Sequence, residues 1–148
     1  MAEGLLKSMW PGNMNPQPVI SSAGTHAIDG LPAEPYAIRV AGEYGVDIRS
    51  HRSRAINVVL IKRADLILAM EQQHVDFIRN AGGSGAGRVE LIGGLDATVV
   101  RGEIPDPYGG SADMYRECAR MIHRCLESVI TRMVGDFPEK KPPDSICR

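Results

Sequence analysis

The sequence predicts an α/β fold: a three-layer arrangement of a parallel sheet with helices on both faces. Three observations carry this. Asp65-Leu66-Ile67-Leu68-Ala69-Met70 is a compact apolar run, the composition of a strand buried on both faces. Segments of helical period alternate with it and with other short apolar runs. Finally, Tyr115, Cys118, Ile122, Cys125, Leu126, Val129 and Met133 form an unbroken stripe at three- and four-residue spacing. That stripe marks a long amphipathic helix over 112–133.

The elements follow in order. Leu5, Leu6 and Met9 give a short helical stripe closed by Pro11-Gly12-Asn13, and Val19 to Gly24 reads as a short strand. A helix is expected from Pro35 to Tyr44, with Ile38, Ala41 and Tyr44 spaced by threes and Gly45 as its stop. After the apolar strand comes a helix over 71–80 with Val75, Phe77 and Ile78 inward. The Gly82–Gly87 patch reads as a flexible connection to a strand at Val89-Glu90-Leu91-Ile92. Residues 135–148 are rich in Pro and Lys and are expected to be a disordered tail, leaving 1–134 as one domain. A helix opens the sequence, whereas a parallel α/β unit feeds its first helix from a strand and binds ligands at that turn. The fold is therefore expected to start one element late, with its first central strand missing.

Composition narrows the function. With 24% charged residues and a net charge of −1, nothing favours nucleic acid or an anionic membrane as partner. No run of about 18 apolar residues occurs, so no membrane insertion is expected. The first residues lack a secretory pattern, which makes a cytoplasmic setting the expectation. The cysteines are Cys118, Cys125 and Cys147, a sparse, odd set that reads as reduced thiols. His26, His51, His74 and His123 show no ligand spacing, so no metal and no cofactor is expected. Arg49, Arg52, Arg54, Lys62 and Arg63 read as a solvated basic face.

Asp106 is the leading chemical candidate. Pro105 and Pro107 flank it and fix the backbone, while Gly109-Gly110 releases the chain into the long helix. A carboxyl held this way suits a general acid reaching a leaving-group oxygen. It equally suits a plain solvated turn, because Asp-Pro pairs form turns. Tyr108 beside it could stack on a flat substrate. Cys118 and Arg124 satisfy a Cys-x5-Arg string, but only inside the helix. There the side chains lie about 120° apart around the axis and about 9 Å apart along it, and no glycine curls the backbone around an anion. Gly83-Ser84-Gly85-Ala86-Gly87 follows a helix and precedes a strand, the wrong polarity for a phosphate cradle.

Five stretches decide between these readings: Met1-Ala2-Glu3-Gly4-Leu5-Leu6, Ile20-Ser21-Ser22-Ala23-Gly24-Thr25, His51-Arg52-Ser53-Arg54, Leu66-Ile67-Leu68-Ala69-Met70-Glu71 and Ile104-Pro105-Asp106-Pro107-Tyr108. In this order and spacing, residues 1–133 resemble the low-molecular-weight protein tyrosine phosphatases, in particular the bacterial exopolysaccharide-linked branch. The resemblance implies the phosphotyrosine phosphatase I-like fold and hydrolysis of phosphotyrosine through a phosphocysteine. It casts Asp106 as general acid and Tyr108 as a wall of the phosphotyrosine slot. Ser22 and His51 align with residues that brace the phosphate loop, although a strand-end serine and an exposed turn histidine describe them as well. The implied partner is a phosphotyrosine protein, with a bacterial tyrosine kinase as the candidate.

The family's nucleophile loop, Cys-x5-Arg, has no counterpart among these 148 residues. In the family it immediately precedes the helix that opens this sequence. The expectation is a start set at an internal Met, with this exact chain inactive. The alternatives are a truncated non-catalytic binding protein or pseudoenzyme and, further off, an arsenate reductase. Cys118 and Cys125 on a core helix do not suit the mobile shuttle thiols a reductase needs.

Overall fold

The computed structural model describes residues 1–136. Helix α1 spans Ala2–Met9, α2 Pro35–Glu43 and α3 Val58–Arg63; strand β1 is Leu66–Ala69, α4 is Gln72–Gly82, β2 is Arg88–Leu91 and α5 is Ala112–Asp136. Pro35 begins α2, where its missing N–H costs nothing. Asn57 caps α3 by accepting the Leu60 N–H at 3.0 Å. Basic, exposed residues on both sides conceal this short helix in the sequence; its signal is the cap.

β1 and β2 pair in parallel, with Leu66 opposite Arg88 and Ala69 opposite Leu91. Alternation along β1 supplies both faces of the sheet. Ile67 and Ala69 join the cluster of Ile61, Val75 and Ile78 from α3 and α4. Leu68 and Met70 face the larger cluster built on Leu5 of α1, Ala41 of α2 and Ile122, Cys125 and Leu126 of α5. Helices thus cover both sides of the strands, and the three-layer α/β arrangement holds. Burial of each large aliphatic side chain here is worth about 1.5–3 kcal/mol.

Three expectations need correction. Val19 to Gly24 is not a strand: only Gly24 bridges, in parallel with Ala55, through Gly24 N–H to Arg54 O at 2.9 Å and Ile56 N–H to Gly24 O at 3.1 Å. The rest has no ladder partner among the described residues, and Val19 is 98% exposed. Phe77 is exposed, because it lies about 160° around α4 from the buried Val75. The glycine patch is more than a flexible connection: its first part completes α4 and a 3-10 turn, Gly83–Gly85. A Cβ on Gly87 would lie 2.1 Å from the Ala64 carbonyl oxygen. Gly87→Ala must displace backbone and is expected to cost about 1–3 kcal/mol, read as a lower denaturation midpoint; an unchanged midpoint would contradict the close approach.

Helix α5 continues to Asp136, two residues into the segment expected as a tail. The remainder, 137–148 with Cys147, lies outside the described residues. No helix among the described residues is long and apolar enough to cross a membrane.

Candidate active site

Asp106 sits in a turn with two locks. Its Oδ1 accepts the Tyr108 N–H at 3.0 Å, and the Gly110 N–H closes on Pro107 O at 2.9 Å. Gly109, third of the four turn residues, has φ 76°, the left-handed value a type II turn requires and glycine supplies freely. Ile104 N–H donates to Met70 O at 2.9 Å, hanging the segment from the end of β1. Ser111 then opens α5, its hydroxyl 3.4 Å from the Met114 nitrogen. Asp106 and Tyr108 are both exposed.

This turn and the head of α1 both border the first turns of α5. Met1 packs against the cluster of Val40, Tyr115 and Ala119. The charge of Asp106 reaches both Tyr115 and Cys118, on the first turns of α5. Ser22 and His51 meet at the same helix, on Glu3. The Ser22 hydroxyl donates to Glu3 Oε2 at 2.6 Å, and His51 Nδ1 lies 3.9 Å from that oxygen. Burial pushes the Glu3 carboxyl up, but hydrogen bonds from Lys7 and Ser22 outweigh it and hold the group below its ordinary value. Sequence reasoning missed Glu3, although an acidic residue in the first turn of α1 was the available signal.

The cysteines of α5 are core residues. Burial pushes the Cys118 thiol up to about 11 and raises that of Cys125 as well. Arg124, which completes the Cys-x5-Arg string, is committed elsewhere: its Nε donates to Asp96 at 3.1 Å and its Nη2 to Thr98 at 2.9 Å. The string is therefore no anion cradle. Neither thiol should react with iodoacetamide at pH 8 in the native protein, and both should react in denaturant. Rapid native labelling of Cys118 would contradict its burial. None of Asp106, Tyr108, Ser22 and His51 lines the groove of about 300 Å³ between α4 and β2.

A parallel pair of strands covered by helices on both faces, with the candidate side chains on its loops and helix heads, defines a three-layer α/β protein. Within that class the chain belongs to the low molecular weight phosphotyrosine protein phosphatase family, whose model matches residues 1–137. It is 32% identical to a probable low molecular weight protein-tyrosine-phosphatase, EpsP, of Ralstonia nicotianae, over 90% of this chain and 86% of that one. Among solved structures it resembles the Erwinia amylovora tyrosine phosphatase amsI at 29% identity and TM-score 0.77, covering 88% of this chain and 82% of that one. It also resembles the tyrosine phosphatase Wzb of Escherichia coli K30 in complex with sulphate, at 27% identity and TM-score 0.78, covering 89% and 87%.

Proposed function

We propose that this domain serves hydrolysis of phosphotyrosine in protein substrates, with Asp106 as general acid and base and Tyr108 beside the phenol ring. The observation that carries the reading is the doubly locked Asp106 turn at the start of α5, a helix that also packs against α1, where Ser22 and His51 meet on Glu3. In the reaction a cysteine thiolate bonds to phosphorus as the bond to the phenol oxygen breaks. Asp106 delivers its proton to that oxygen, then takes one from the water that releases phosphate from sulfur. Ser22 and His51 act as positioning residues, bracing the phosphate loop from the α1 side.

No cysteine of the 148-residue sequence suits the nucleophile, because Cys118 and Cys125 are core thiols and Cys147 has no activating neighbours in sequence. In the family, which the resemblance supplies, the thiolate and its backbone cradle come from a Cys-x5-Arg loop placed ahead of the helix that α1 matches. The physiological setting the resemblance points to is the cytoplasm, with a bacterial tyrosine kinase of exopolysaccharide export as substrate. The deciding experiment compares aryl phosphate hydrolysis by two proteins, residues 1–148 alone and the same residues preceded by the family's first strand and Cys-x5-Arg loop. The first should match a buffer blank and the second should turn over. Turnover by residues 1–148 alone would overturn the assignment of the nucleophile, and an inactive loop-bearing protein would favour a pseudoenzyme.

A further inference from the structure

We propose that Tyr36 and Glu34, together with Tyr108, form a subsite for a cationic side chain, arginine or lysine, that flanks the phosphorylated residue of a protein substrate. The inference rests on the phosphatase reading above and adds to it a preference among substrates.

Tyr36 is placed by a helix and not by a loop: it follows Pro35 at the start of α2. Its ring lies 5.7 Å from that of Tyr115 with the planes 53° apart, a tilted arrangement that aromatic pairs favour. The contact holds the ring in position while leaving Tyr36 45% exposed. Tyr115 itself is buried. Its hydroxyl is pushed up by that burial and then by the charges of Glu34 and Asp106, with Tyr108 also in reach. Around this one buried ring, Tyr36 lies in ring contact at the start of α2 and Glu34 stands at the N-cap of that same helix, while the Asp106–Tyr108 turn leads through Ser111 into the first turn of α5 that carries Tyr115, and Tyr108 is 72% exposed.

The charges on this surface select the occupant. Neither Glu34 nor Asp106 has an ion-pair partner among the described residues. The neighbouring Arg116 is committed to Glu43 at 2.9 Å and Asp113 at 2.8 Å. An incoming cation meets an open aromatic face with a free carboxylate beside it, two attractions that act together. An anionic flank would meet two like charges, and an apolar flank would gain only the ring.

The test uses the loop-bearing protein with the loop's nucleophile replaced by serine, so that binding is read by calorimetry without turnover. Two phosphotyrosine peptides differ only in carrying arginine or alanine next to the phosphotyrosine. The arginine peptide should bind about threefold to tenfold more tightly, the size of one exposed cation–π contact reinforced by a carboxylate. Tyr36→Thr and Glu34→Gln should each shrink that ratio, whereas Tyr36→Phe should keep it. High salt should shrink it too. Equal affinities for the two peptides, or a ratio untouched by Tyr36→Thr and Glu34→Gln, would overturn the subsite. If the loop-bearing protein with its cysteine intact hydrolyses aryl phosphate but the serine variant ignores the arginine, the subsite alone is lost. If the first hydrolyses nothing and the second ignores the arginine, the phosphatase reading is lost with it.

Discussion

In the loop-bearing protein, Asp106→Asn is expected to lower kcat on a phosphotyrosine peptide by about 10²–10⁴, the usual worth of a positioned general acid. KM should change little, because the lost interaction develops only as the phenol oxygen takes up negative charge. The substitution isolates the proton. An asparagine Oδ1 can accept the Tyr108 N–H as the aspartate does at 3.0 Å, and Gly109 keeps the turn at φ 76°. Denaturation midpoints of the two proteins should therefore agree. A second substrate makes the test sharper. A phosphate ester of a strongly acidic phenol needs little help from a proton donor, so Asp106→Asn should lower its kcat/KM, which reports only steps up to release of the phenol, far less than that of the tyrosine ester. Equal losses of kcat/KM on both substrates would assign Asp106 to binding or to the turn and not to protonation of the leaving group.

How far the sequence alone reaches depends on whether the signal is local. The four-residue apolar run of β1 and the stripe of α5 are local, and both elements lie where periodicity places them. The Asp106 turn was legible for the same reason, since prolines on either side and two following glycines specify it without tertiary context. Val19 to Ala23 has strand composition, but a strand needs a hydrogen-bonding neighbour, and composition cannot say whether one is there. Glu3 shows the opposite failure. Its local signal, an acidic residue in the first turn of α1, says nothing of its partners, because Ser22 and His51 lie far along the chain and converge only in the fold. Tyr36 was invisible likewise: its significance comes from Tyr115, a residue that periodicity assigns simply to the core. Gly87 read as slack in a glycine-rich patch, yet the contact with Ala64 makes it obligatory.

Residues 1–148 expressed by themselves are expected to be poorly soluble or to unfold without a sharp transition, and the loop-bearing protein to melt cooperatively. The argument begins at β1. A parallel strand is ordinarily buried on both faces and paired on both sides. Here helices cover both faces, but only β2 pairs with it among the described residues, and Leu66, Ile67 and Leu68 remain partly exposed. An isolated two-stranded unit is marginal in water; helix packing supports this pair, and its weak point is the unpaired edge of β1. The segment ahead of Gly24 has no ladder partner among the described residues, and Val19 projects almost fully into solvent. In the loop-bearing protein, the added strand is expected to pair with β1 on its open side and with residues 19–23 on its other, meeting both conditions at once. Burying a few of that strand's aliphatic residues at about 1.5–3 kcal/mol each supplies an amount comparable with a whole domain's stability of about 5–15 kcal/mol. Left open, the same edges template pairing between copies, so aggregation should grow with concentration. The measurement is a thermal scan of both proteins, with calorimetric and van't Hoff enthalpies compared. A sharp two-state transition in monomeric residues 1–148 would show that the open edge of β1 costs little, and the added strand would then matter for chemistry and not for folding.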